Sequence, residues 1–379
     1  MFKNSGSPTL PMGTKLHGLD TLRALAITMV FIFHYGRMFE HPAWVNTIGK
    51  FGWTGVDLFF VLSGYLIASQ LFDTIVRSGH IPLKTFFIKR FFRIIPPYLV
   101  VVAIYFCFPF VREREALAPL WKYLTFTQNL GLDLRTQGTF SHAWSLCIEE
   151  QFYLVLPLIL ALLVYVKAIK KGFVLLIAFF LFGFVVRYFS YQHFIEPFLE
   201  DDFSGVYWYT WIYYPTYCRL DGLLVGVSIA GLFQFKPLLK EKITLYGNLL
   251  LAIGIAILAA AYFLCLDEKS FEASIFGFPL VALGYGFLVM GAISPSSFLF
   301  NLNAKFITKI ATLSYAIYLT HKIVIHLTQV EIGKLNIAKD GLLMFFICSV
   351  TSICGALILN LLIEKPFLLW RNKTLRNQS

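Results

Sequence analysis

Charge is scarce in this sequence. Of its 379 residues only 14% are Asp, Glu, Lys or Arg, where a soluble domain carries about 25%, so the chain cannot supply a water-facing surface. Cysteine is sparse and unpatterned: Cys107, Cys147, Cys218, Cys265, Cys348 and Cys354 show no Cys-x-x-Cys spacing. Neither a metal site nor a disulfide framework is indicated, and no metal is expected. The formal net charge of +11 does not make a nucleic-acid binder, because the basic residues stand between apolar segments and form no dense basic face. Heptads, low-complexity tracts and evident repeats are missing, and no loop is long enough for a domain of its own. The first sixteen residues are polar and the first apolar run is long enough to span, so no cleavable leader is expected.

What is present is apolar. Hydrophobic residues make up 58% of the chain, with 40 Phe, 19 Tyr and 7 Trp, which suits a lipid-facing body with aromatic rings at its interfaces. A helix needs about 20 residues to cross the hydrocarbon core. Runs of that order occupy 21–41, 55–75, 94–111, 146–166, 172–190, 212–233, 246–266, 273–293, 308–328 and 342–363. The expected fold class is all-α: a polytopic transmembrane helical bundle of about ten spans. With the N-terminus inside, the inner segments hold 19 Lys and Arg and the outer loops 10, Lys322 counted among the latter. The acidic cluster Glu196 to Asp202 then falls outside. This bias places both termini in the cytoplasm. The chain divides into a short N-terminal segment 1–20, a transmembrane domain 21–365 and a cytoplasmic tail 366–379.

An ionisable group near the bilayer centre costs roughly 3 kcal/mol on insertion scales and needs a partner or a polar cavity. The informative residues are therefore the polar ones inside the spans. Arg23 and His34 are eleven residues apart, close to three helical turns, so they share a face about 16 Å apart along the axis. A histidine there reads either as a packing residue or as a general base or nucleophile. The arginine on its face and the nearby carboxylates favour the second. Asp57, at the outer end of the second span, could orient that imidazole or satisfy free N–H groups at a helix start. Glu149 and Glu150 are adjacent, about 100° apart, so only one can face a given centre. His142 and Trp144 precede them and could cap the same cavity. Arg219 and Asp221, two apart, do not share a face, and each is expected to pair with another helix. Lys89, Arg90 and Arg93 open the third span, either as ordinary inner-face anchors or as a clamp for an anionic donor's phosphates. Ser314, Tyr318 and His321 complete the set on the ninth span. Together these residues trace a polar route with a basic inner mouth and a histidine and carboxylates at its outer end. A group-transfer enzyme and a proton-coupled transporter both fit that pattern.

Five stretches carry a resemblance. They are Leu19-Asp20-Thr21-Leu22-Arg23 with His34 at Arg-x10-His spacing; Gly55-Val56-Asp57-Leu58-Phe59-Phe60-Val61-Leu62-Ser63-Gly64-Tyr65; Phe87-Ile88-Lys89-Arg90-Phe91-Phe92-Arg93-Ile94-Ile95-Pro96-Pro97-Tyr98; Trp144-Ser145-Leu146-Cys147-Ile148-Glu149-Glu150-Gln151-Phe152-Tyr153; and Leu313-Ser314-Tyr315-Ala316-Ile317-Tyr318-Leu319-Thr320-His321. In this order they resemble bacterial integral-membrane acyltransferase family 3, whose members modify surface polysaccharides and other extracytoplasmic glycans. The resemblance covers roughly 15–365.

It implies an acyl-CoA-dependent O-acyltransferase of the bacterial inner membrane, moving an acyl group, most commonly acetyl, from cytosolic acyl-CoA to a hydroxyl of an envelope glycan such as O-antigen. His34 is then the catalytic histidine, with roles for Asp57, Glu149 and Glu150. Arg23, Lys89, Arg90 and Arg93 engage acetyl-CoA. His142, Ser314, Tyr318 and His321 are candidates for binding substrate or stabilising an oxyanion. The implied partners are acyl-CoA, a glycan or lipid-linked glycan, and membrane lipid. Lys89 stands where many members have Arg, which loses bidentate geometry. The sequence ends soon after the tenth run, and no fused esterase-like domain is expected.

Overall fold

The computed structural model describes residues 16–376, and among them there is no β-strand. Ten long helices follow the ten apolar runs. They are α1 His17–Met38, α2 Gly55–Ser78, α3 Leu83–Cys107, α4 Trp144–Tyr165 and α5 Gly172–Phe194, then α6 Asp221–Phe235, α7 Gly247–Leu264, α8 Phe278–Ala292, α9 Lys305–Gly333 and α10 Leu342–Leu359. A widened turn at Asn360–Glu364 leads from α10 into α11, Lys365–Arg376. Eight helical segments are long and apolar enough to cross a membrane, and α6 makes a ninth if counted with Pro237–Thr244 across a 110° bend. Helix α1 has the length, 22 residues, but carries Asp20, Arg23, His34 and Arg37. The protein is thus an all-α, multi-pass membrane bundle. Residues 1–15 of the expected N-terminal segment and 377–379 of the expected tail lie outside the described residues.

Two spans depart furthest from their expected bounds. Helix α3 begins at Leu83 instead of near 94, so Lys89, Arg90 and Arg93 sit on its opening turns. It ends at Cys107, two residues before Pro109, a residue that disfavours helix just ahead of itself. Within it, Pro96 and Pro97 supply no N–H to the carbonyls of Phe92 and Arg93 one turn earlier, and Tyr315 Oη from α9 donates to the next carbonyl, that of Ile94, at 2.8 Å, tying α9 to α3 there. The expected span 212–233 is broken. A π-turn at Tyr209–Tyr213 and a short 3₁₀ turn at Thr216–Cys218 flank Pro215, and regular helix starts only at Asp221. Arg219 and Asp221 therefore lie at a helix start and not in mid-span.

Burial separates centre from rim. The span containing α8 has 72% of its apolar window buried and α9 has 61%, whereas the span containing α5 has 11% and faces outward along most of its length. Between α2 and α6 the backbones touch. A Cβ at Gly64 would lie 2.2 Å from the Leu223 carbonyl oxygen, and one at Gly226 would lie 2.3 Å from that of Val61. Small residues permit this approach, and in lipid such packing holds helices together.

The segment 112–143 folds back onto the bundle. Tyr123, Gln128, Asn129, Thr139, Phe140 and His142 are all buried. Phe140 adopts φ 55°, an unusual conformation for a bulky residue, with its N–H given to Glu113 Oε1 at 3.1 Å. That turn delivers His142 into the bundle.

Candidate active site

Three histidines meet where α1, α9 and the turn before α4 come together. The His34 and His321 ring centroids are 5.0 Å apart, His34 and His142 5.6 Å, and His142 and His321 5.1 Å. His34 Nδ1 lies 2.8 Å from His321 Nε2. His321 Nδ1 lies 2.9 Å from the carbonyls of both Ile317 and Tyr318, and His142 Nε2 lies 3.1 Å from that of Tyr318. The Tyr318 hydroxyl in turn donates to the His142 carbonyl and is 2.6 Å from Ser145 Oγ. Two side-chain-to-backbone bonds running in opposite directions thus join α9 to the start of α4. His142 and His321 are buried; His34 is only half-buried.

Lys322, next along α9, is buried 3.9 Å from buried Glu113. It lies close enough to act electrostatically on all three imidazoles. The Tyr318 proton, expected for an oxyanion, is engaged by a backbone carbonyl. Ser314 is buried one turn before Tyr318 on the same helix. Among the described residues no group of three or more His, Cys, Asp or Glu is placed to hold a metal.

A second polar zone lies toward the opposite end of α1. Glu149 accepts from Ser63 Oγ at 3.0 Å and from Tyr153 Oη at 2.9 Å. The Arg90 guanidinium sits 5.4 Å from the Tyr153 ring centre and 5.7 Å from that of Phe86, within cation–π range, and donates to Gln70 at 3.3 Å. Arg23, Arg90 and Arg93 lie within electrostatic reach of one another, and Arg371 of α11 lies within such reach of Arg93. Arg23 also approaches Asp20 at 3.6 Å. Glu150 adds a second carboxylate near Glu149 and Arg90, while Lys89 is exposed. Glu149 and the Tyr318 hydroxyl lie within electrostatic reach of one another, which puts Glu149 between the arginines and the histidines.

Asp57 stands apart from both zones. Read either as the orienting acid of His34 or as a residue serving a helix start, it stands in the first turn of α2 and pairs with Arg219 Nη2 at 2.8 Å, and the nitrogen facing His34 belongs to His321. The reason is the packing. Asp57 opens α2 on the side that meets α6, where its own carbonyl would be 3.1 Å from a Cβ at Gly222. Arg219 is enclosed by aromatic faces, Phe278 at 4.0 Å and Tyr213 at 4.6 Å from its Cζ. Asp221 takes Arg187 of α5 at 2.6 Å. Arg219 and Asp221 thus each pair with a different helix, as their two-residue spacing predicts. Sequence reasoning missed Ser63, Tyr153, Glu113, Lys322 and Arg371. Of these, Lys322 was the detectable one, a lysine inside an apolar run directly after His321.

Residues 16–361 match the family described as acyltransferase domain. The chain is similar to the O-acetyltransferase OatA of Staphylococcus aureus strain NCTC 8325, 30% identical over 327 residues, which are 81% of this chain and 50% of that protein. A putative O-acetyltransferase of strain COL is 29% identical over 341 residues, 86% of this chain and 53% of its own length. The chain spans about half the length of these curated relatives. No solved structure matches.

Proposed function

Because the chain belongs to the acyltransferase domain family, we propose that it is an acyl-CoA-dependent O-acyltransferase that passes an acyl group, acetyl in the first instance, to a hydroxyl of an envelope glycan. The observation that carries this reading is the line of polar groups through the bundle. Arg23, Arg90 and Arg93 gather at one end, where the carboxylate of Asp20 meets Arg23 at 3.6 Å, a hydroxyl-bound Glu149 lies between, and a half-buried His34 stands at the other. In this reading the arginine end faces the cytoplasm, as the charge bias of the loops predicts.

Guanidinium groups suit a phosphate-bearing donor because their charged hydrogen bonds are strong and directional. Arg90 and Arg93 with Arg23 would hold the nucleotide end of acyl-CoA, with Arg371 in electrostatic reach of Arg93. The thioester would then lie along the route toward His34. His34 takes the proton of the acceptor hydroxyl as its oxygen attacks the thioester carbonyl. Collapse breaks the carbon–sulfur bond, and the departing thiolate takes the proton back from the imidazolium. Glu149 and Glu150 would bind acceptor hydroxyls or carry protons.

The test is transfer of labelled acetyl from acetyl-CoA to an envelope glycan extract by protein reconstituted in proteoliposomes. Removing a general base costs about 10²–10⁴-fold, so His34→Ala should lose label on the glycan by that order while the fold persists. Movement of an intact glycan across the vesicle without CoA, and with no label transferred, would replace this reading with transport.

A further inference from the structure

We propose that His321 is the positioning residue of His34: it holds the imidazole in the tautomer protonated at Nδ1 and leaves the Nε2 lone pair bare to act as the base. The inference rests on the reading of His34 as the base given above. The far side of His321 meets only backbone. Its Nδ1 faces two backbone carbonyls, Ile317 and Tyr318, each at 2.9 Å. A carbonyl only accepts, so this nitrogen carries the proton, and in a neutral imidazole Nε2 is then the acceptor. That Nε2 lies 2.8 Å from His34 Nδ1. One of the two must donate, and His321 has no proton left to give there. His34 therefore donates from Nδ1, and its own Nε2 is unprotonated.

The alternative, a doubly protonated His321, would lodge a second cation beside Lys322, which already shares the pocket and pairs only distantly with Glu113 at 3.9 Å. Burying such a charge without a carboxylate on the ring is unfavourable. His142 does not compete for the role. Its Nε2 faces the Tyr318 carbonyl and is therefore its protonated nitrogen, and its ring meets His34 edge-on. Of the three histidines only His34 is not fully buried. When its Nε2 accepts a proton, the Nδ1–H bond to His321 becomes charge-assisted and strengthens. A neutral imidazole thus does here what a carboxylate does in a serine-protease triad.

The tautomer can be read directly. In protein labelled with ¹⁵N-histidine and held in bilayers, with the His34 signals identified by their loss in His34→Ala, the ring should show a protonated Nδ1 and a bare Nε2. His321→Ala should let the Nε2–H form appear and lower kcat by about 10²-fold, with KM for acetyl-CoA within about twofold of wild type. His321→Gln, whose side-chain oxygen can accept in place of Nε2, should keep the tautomer and recover most of kcat. An Nε2–H tautomer in the unmutated protein overturns the proposal, whatever the variants do. So does a kcat loss in His321→Ala with the tautomer unchanged, which assigns the loss to packing. Full transfer by His34→Ala, with the tautomer as stated, leaves the hydrogen bond standing and sinks both the base reading and the positioning role built on it.

Discussion

Single residues in this bundle are defined by their partner on another helix. Arg23 and His34 share a face of α1, and that much follows from an eleven-residue spacing. The partner of His34 does not, because His321 lies 287 residues away and spacing says nothing about which helices face each other. The same limit explains Asp57. Its position at a helix start was legible, but its role was not, since Arg219 comes from a broken segment whose break depends on Pro215 and the aromatic run before it. Removing one partner of a buried ion pair costs about 3–5 kcal/mol. Asp57→Ala should therefore lower thermal stability in detergent by that order. Replacing Asp57 and Arg219 together by Leu and Met should recover much of it. If Asp57→Ala instead folds as well as wild type and loses only kcat, the carboxylate belongs to the chemistry after all. At the arginine end, Arg90→Ala should raise KM for acetyl-CoA at least about tenfold, the loss of a charge-assisted contact, and leave KM for the glycan nearly unchanged. Equal shifts in both would remove the arginine cluster from donor binding.

At the scale of elements, the long apolar runs were legible because twenty apolar residues in a row have few other uses. Their ends were harder to read. Helix α3 extends eleven residues upstream of its apolar run because Lys84, Lys89, Arg90 and Arg93 are good helix formers, so a hydropathy boundary is not a helix boundary. The crossing of α2 and α6 was invisible in the sequence, since a glycine in an apolar run reads the same whether or not a neighbour's backbone lies against it. Gly64→Ala and Gly226→Ala should each force the helices apart, and overpacking of this kind costs about 1–3 kcal/mol or more. A thermal-shift comparison with Gly231→Ala, where a Cβ would make only ordinary contact at 3.5 Å, separates backbone collision from mere loss of glycine. Equal melting temperatures for all three would mean that the crossing tolerates a methyl group.

For the whole molecule, the charge count over the loops anticipates an orientation, and one of its members is misplaced. Lys322 was counted outside, yet it is buried with Glu113. Removing it lowers the outer count and sharpens the asymmetry. With the natural exposed cysteines Cys107 and Cys354 replaced, Lys89→Cys should react with a membrane-impermeant thiol reagent only from the cytoplasmic side and Glu200→Cys only from the opposite side. Labelling of both from one side would invert the topology or break it. Arg93 is exposed and screened by salt, whose Debye length is about 10 Å at 0.1 M. KM for acetyl-CoA should therefore rise with ionic strength more steeply than KM for an uncharged glycan fragment.

The contrast between the glycine crossing and the bare flank of α5 also bears on how such a chain can change over generations. Positions 64, 222 and 226 offer no room for a side chain, while the outward surface of α5 asks only for greasiness. In a saturating mutant library selected for acyl transfer, the first should return almost nothing but glycine, and the second should accept most apolar exchanges. Sequence drift in this lineage would then accumulate where the helix meets lipid, so that two homologues could look unrelated along α5 and still share the same engine.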